Sequence, residues 1–134
     1  MSMNGISPAN GQEALRLQLG RLPRPFLWAL AARLKTLGLS VTPVIAGTAI
    51  AANSGHWNAS LALAAAISAA CIQIGTNLWN DAADAERGID TQERLGPPRM
   101  TALGLLKAGD VRIGASIAFV VAGLGGLFLA LSGG

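Results

Sequence analysis

Ten residues, Asp81 to Asp90, hold three aspartates, a glutamate and an arginine directly behind a long run without charge. Asn77 and Asn80 add side-chain amides just upstream. In a helix, Asn77, Asn80, Asp81 and Asp84 recur at spacings of three and four, so their side chains gather on one side of the last turns. Hard oxygen donors crowded together repel one another until a cation joins them, and Mg²⁺ is the usual guest where a phosphorylated ligand completes its shell. The chemistry these residues allow is a Mg²⁺-diphosphate site at a membrane surface, and ionisable groups at membrane depth are as a rule functional. A solvated polar helix end accounts for the charges alone equally well. Gly88 is predicted to end the helix in a left-handed conformation, which turns Asp90 back towards the same end.

The elements that must position this cluster are apolar. Hydrophobic residues make up 51% of the 134-residue chain and charged residues 13%, against about 25% charged in ordinary soluble proteins. From Thr36 to Asn80 there is no fixed charge, and from Ile113 to Gly134 again none. The first of these runs is too long for one crossing of about 20 residues and fits two crossings joined by a turn. The expected fold is therefore all-α, a polytopic membrane bundle with three transmembrane helices. They are predicted at about Trp28–Ala52, with a kink at Pro43, at about Ala59–Asp84, and at Ile113–Leu131. Residues 1–24 read as a flexible tail, and residues 25–134 as the membrane domain. No cleaved signal peptide is expected, since mostly polar or mixed sequence precedes the first apolar run.

The net charge of +3 is not arranged as a nucleic-acid surface, so no nucleic-acid partner is expected. All ten Lys and Arg fall in two blocks, residues 16–35 and 87–112, while the connector Asn53–Asn58 has none. The positive-inside rule then orients both blocks, and the acidic cluster, towards the cytoplasm, which places the chain in the inner membrane as a multi-pass protein. Gln73, Thr76, Asn77 and Asn80 lie at membrane depth and must face a protein interior or a watery cavity. The connector from Gly88 to Val111 carries Arg94 and Arg99. Together with Arg87 these guanidinium forks are suited to clamp a diphosphate, although the positive-inside rule explains them as well. Arg33 and Lys35 suit anionic headgroups, or a substrate diphosphate. Gly104–Arg112 reads as a short interfacial helix. His56, in a turn on the far side from the acids, and Cys71, alone in an apolar segment, read as structural.

One further pattern is more specific. Gln73-Ile74-Gly75-Thr76-Asn77 leads into Asn80-Asp81-x-x-Asp84-x-x-x-Gly88-x-Asp90-Thr91, then Glu93-Arg94-Leu95-Gly96-Pro97-x-Arg99 and Gly104-Leu105. This string resembles the first aspartate-rich motif and following loop of the UbiA prenyltransferase superfamily, and within it the MenA-type 1,4-dihydroxy-2-naphthoate polyprenyltransferases. Arg33-Leu34-Lys35-Thr36-Leu37 is similar to the opening motif of that group. The resemblance covers about residues 25–131 and implies a nine-helix membrane enzyme, of which this chain supplies the first third. Such an enzyme moves a polyprenyl group from polyprenyl diphosphate to an aromatic acceptor, here 1,4-dihydroxy-2-naphthoate in menaquinone biosynthesis.

Carried over by position, the resemblance makes Asn80, Asp81 and Asp84 the Mg²⁺ ligands, with Asp81 and Asp84 catalytic. Asn77, Asn80, Asp90, Lys35, Arg87, Arg94 and Arg99 become substrate contacts. Mg²⁺ and the basic groups would stabilise the departing pyrophosphate while an electron-rich ring carbon attacks the allylic cation. Ala82 stands where the motif often has an aromatic residue, Leu34 replaces a usual proline, and Gly88-x-Asp90 replaces an aspartate at position 88. The second aspartate-rich motif of the family does not occur in the chain, so an incomplete enzyme is expected. A non-catalytic membrane segment, or a related enzyme with another aromatic acceptor, stays open as an alternative.

Overall fold

The computed structural model describes residues 8–88 and 97–133. Five α-helices follow one another: α1 (Pro8–Leu19), α2 (Arg24–Ala32), α3 (Leu37–Asn53), α4 (Ala59–Glu86) and α5 (Ala108–Gly133), with a single 3₁₀ turn, Leu34–Thr36, between α2 and α3. No strand occurs among the described residues. Three stretches are long and apolar enough to cross a membrane: Arg24–Asn53, Ala59–Glu86 and Ala108–Gly133. The chain is thus an all-α, polytopic membrane bundle.

Helix α4 is its axis. Asn58 caps the N-terminus by accepting the Leu61 N–H on its side chain (3.1 Å), which satisfies one of the orphan donors of the first turn. At the other end Gly88 takes φ +61°, the left-handed stop predicted for it. Helix α5 lies along α4 with the most extensive contact, and α3 and α2 meet α4 elsewhere. Small residues let these helices approach closely, as membrane helices require where lipid offers no hydrophobic drive. Gly75 lies under the Phe119 ring and Gly114 under Trp28; a β-carbon at Gly125 would stand 2.1 Å from Ser68 Oγ. The tightest core gathers Leu27 and Ala31 of α2, Leu78 and Ala82 of α4, Met100, and Val111 and Ala115 of α5. It sits beside the polar end of α4, while Leu39, Ile50 and Leu131 further along the helices are at least 70% exposed, as lipid-facing side chains are.

Three sequence expectations need correction. Residues 8–19 form α1, where a flexible tail is predicted: Glu13-Ala14-Leu15-Arg16-Leu17-Gln18-Leu19 is a run of strong helix formers, and Leu19 packs on the core. The first membrane segment is not one continuous helix from Trp28, while Pro43, where a kink is predicted, lies inside the single helix α3 as expected. The segment breaks at Arg33, which adopts φ 53°, ψ 51° and is the one non-glycine residue with positive φ among the described residues. Finally, Gly104–Arg112 is no separate interfacial helix. Gly104 has φ +68°, which ends a turn stitched by Leu103 N–H to Arg99 O (3.1 Å) and Leu105 N–H to Met100 O (2.9 Å), and α5 begins at Ala108.

Candidate functional site

The polar stripe of α4 separates into two rows that the spacing alone does not distinguish. Gln73, Asn77 and Asp81, each four residues apart, point towards the protein: Gln73 is half-buried and the other two are buried. Thr76, Asn80 and Asp84, offset by three positions, form the outer row; Thr76 and Asn80 are exposed and Asp84 is half-buried.

The inner row is committed to other parts of the fold. Asn77 donates through its amide to Ala32 O (2.8 Å) and to Thr36 Oγ1 (3.2 Å). Gln73 reaches the same hydroxyl and Asn77 Oδ1, both at 3.5 Å. These bonds hold the break between α2 and α3. In an uninterrupted helix Ala32 O would accept the Thr36 N–H. Here that N–H bonds Arg33 O (2.8 Å), the Thr36 hydroxyl also donates to Arg33 O (2.8 Å), and the freed Ala32 carbonyl takes the Asn77 amide. Asn77, expected as a substrate contact, is therefore spent on the elbow.

Asp81 is 3% exposed, and its two carboxylate oxygens accept the Met100 N–H and the Thr101 N–H, each at 3.0 Å. The Thr101 hydroxyl lies against the same carboxylate and against Asp81 O, the latter at 2.6 Å. Sequence places Asp81 on the metal; the structure places it under the 99–101 turn. Pro97 and Pro98 lack N–H groups, so the donors that meet Asp81 are among the first the loop can offer after them.

The outer row faces the basic loop. Arg99, 3% exposed, forms an ion pair with Asp84, and its guanidinium also donates to the Asn80 carbonyl. Of the predicted loop arginines, Arg99 is therefore brought to the acids; Arg87 lies exposed just past the end of α4. Lys35 lines a cavity of about 320 Å³ with Arg33, Phe26, Leu30, Pro97 and Met100. Asp90 and Arg94 fall outside the described residues. A second cluster was not anticipated: Arg112 of α5 pairs with Glu86 and lies over the Trp79 ring, 5.5 Å from its centre, clamping the ends of α4 and α5 together. Its partners are 26 or more residues away in sequence, and no local signal joins them.

No group of three or more His, Cys, Asp or Glu side chains able to hold a metal forms among the described residues. What the outer row offers is one carboxylate and one amide, four residues apart at a helix end, both hard oxygen donors. A guanidinium already stands at that carboxylate, so the position suits a cation, and a phosphate group would supply the remaining oxygens.

Fold and site together define a polytopic membrane protein with an acidic and arginine-bearing cluster at one end of its central helix. Comparison with known proteins gives that class a particular set of relatives. The chain is 37% identical over 109 residues to the 1,4-dihydroxy-2-naphthoate octaprenyltransferase of Escherichia coli, an alignment of 81% of the chain and 35% of that protein. It is 38% identical over 107 residues to the protein of the same name from Mycobacterium tuberculosis (78% of the chain, 35% of the relative). With the Bacillus subtilis protein, again of that name, it shares 38% identity over 95 residues, 70% of the chain and 29% of the relative. The resemblance carried by the motifs thus extends over most of the chain, which spans about a third of the length of these relatives. No family model and no solved structure matches it.

Proposed function

We propose that this chain forms part of a UbiA-type membrane prenyltransferase that passes a polyprenyl group from its diphosphate to 1,4-dihydroxy-2-naphthoate in menaquinone biosynthesis. The observation that carries the proposal is the outer row, Asn80 and Asp84 with Arg99, lying within a stretch shared with relatives of that name. Asn80 and Asp84 would hold Mg²⁺. The ion would supply charge neutralisation for the diphosphate as it leaves. Arg99 would bind phosphate oxygens through its fork, and Lys35, which lines a cavity beside Pro97 and Met100, would add a second positive charge. Arg87, Asp90 and Arg94 are candidates to complete the phosphate shell. Tight packing of Leu78, Ala82 and Met100 beneath the cluster excludes water from one side of it, which strengthens the electrostatic contacts. The confinement of every Lys and Arg to residues 16–35 and 87–112 supports a site facing the cytoplasm from the inner membrane.

The test is a chimera in which this chain replaces the matching stretch of the Escherichia coli relative, expressed in a host lacking its own naphthoate prenyltransferase. Membrane vesicles given octaprenyl diphosphate, 1,4-dihydroxy-2-naphthoate and Mg²⁺ should form prenylated product. Asp84→Asn should lower the rate by about a hundredfold or more, the scale of losing one electrostatic group from a transition state. A correctly inserted chimera that makes no product, or one that works unchanged with Asp84→Asn, would refute the proposal.

A further inference from the structure

The division of the α4 stripe into two rows has a consequence for the aspartate that begins the motif. Asp81 is buried, and each of its carboxylate oxygens already accepts a backbone N–H at 3.0 Å. A carboxylate that receives two backbone N–H groups and a hydroxyl has both oxygens engaged by the fold itself. Its neighbours in the inner row, Gln73 and Asn77, likewise bond only to the fold, at the elbow of α2 and α3. The group it holds is the turn that carries Arg99, one residue before the first amide bound.

We propose that Asp81 is a positioning residue and not a metal ligand: it anchors the 99–101 turn so that the Arg99 guanidinium stands at Asp84, on the phosphate side of the helix end. This rests on the diphosphate reading above for the ligand that Arg99 meets, and on the hydrogen bonds alone for the anchor. Thr101 is the second half of the device. Its hydroxyl closes the turn on Asp81, so that Thr101→Ser keeps the contact and Thr101→Val removes it without touching the acid.

The experiment uses the chimera described above in lipid nanodiscs, with Mn²⁺ and inorganic pyrophosphate as probes, read by electron paramagnetic resonance, and with amide exchange at Met100 and Thr101 read by NMR. Asp81→Asn should speed exchange of the two amides by about ten- to a hundredfold, the loss of a hydrogen bond to a charged acceptor. Thr101→Val should speed it in the same direction, and Thr101→Ser should restore the wild-type rate. Asp81→Asn should weaken pyrophosphate about tenfold when Arg99 is present and by less than about twofold in an Arg99→Ala background, because coupled residues depart from additivity and independent ones do not. A direct metal ligand would instead lower Mn²⁺ affinity equally in both backgrounds, and that result overturns the proposal. So do amides that remain protected in Asp81→Asn. If the wild-type chimera binds no Mn²⁺-pyrophosphate while the amides still respond to Asp81→Asn and Thr101→Val, the diphosphate reading falls and the anchor stands.

Discussion

Replacing Asn77 with leucine, whose side chain has the same branching and number of heavy atoms, removes hydrogen-bond donation at the elbow without opening a cavity. Asn77 is 7% exposed and its amide serves Ala32 O at 2.8 Å and Thr36 Oγ1 at 3.2 Å. The Thr36 hydroxyl keeps Arg33 O as an acceptor, so its loss is small. The Ala32 carbonyl is different, because the Thr36 N–H that an unbroken helix would give it is bound to Arg33 O. Hydrogen bonds between membrane helices contribute about 0.6 kcal/mol on average and at most about 1.7. A buried carbonyl left without a donor costs about 1–3 kcal/mol. The stranded carbonyl dominates, and the expected loss is about 2–3 kcal/mol. Unfolding in mixed detergent micelles, monitored by helix content, measures it. Thr36→Val alone should cost about 1 kcal/mol or less, and the double variant less than the sum, since both act at one junction. A loss below about 0.5 kcal/mol for Asn77→Leu would show that packing, not donation, holds the elbow, and would refute the account given for it.

Two further outcomes follow from the backbone and the helix contacts. Gly125→Ala should destabilise the α4 and α5 pair by about 1–3 kcal/mol, since the added carbon meets Ser68 Oγ at 2.1 Å; Ser68→Ala in the same chain should recover most of that, measured by the same unfolding titration. Arg33→Gly should leave the elbow intact and raise stability by up to about 1 kcal/mol, because the left-handed conformation at φ 53° suits glycine, whereas Arg33→Val should lower it; thermal unfolding compares the two.

Much of the frame was legible in the sequence because its signals are local. Runs without charge locate the membrane helices, Gly88 marks the end of α4, and the Asn80 to Gly88 spacing carries the likeness to known prenyltransferases. What stayed hidden depends on partners distant in the chain. Leu34-Lys35-Thr36 has no breaker, and the elbow exists because Asn77, more than 40 residues later, supplies the missing donor. Pro43 is a breaker by type, yet its helix runs on. Asp81 differs from Asn80 by one position, a rotation of about 100° in a helix, and that rotation exchanges an open helix edge for the underside of a loop. Arg94 and Asp90, outside the described residues, leave the rest of the phosphate shell to the resemblance alone.

The elbow also fixes how the protein meets bilayers of different thickness. With 17 residues α3 is about 25 Å long and spans a hydrocarbon core of about 30 Å only together with α2 across the elbow, whereas the 28 residues of α4 reach about 42 Å. Asn77, 18 residues beyond Ala59, lies about 27 Å along α4, level with the start of α3 to which it is tied. The two helices are therefore locked at one height, and the first span cannot slide along α4 to relieve hydrophobic mismatch. Tilting of the locked pair or a change in thickness of the surrounding lipid must do so instead, at a modest cost for each ångström. Membranes of shorter-chain lipid should hold the outer row at the water boundary, and thicker ones should draw Asn80 and Asp84 towards the acyl chains.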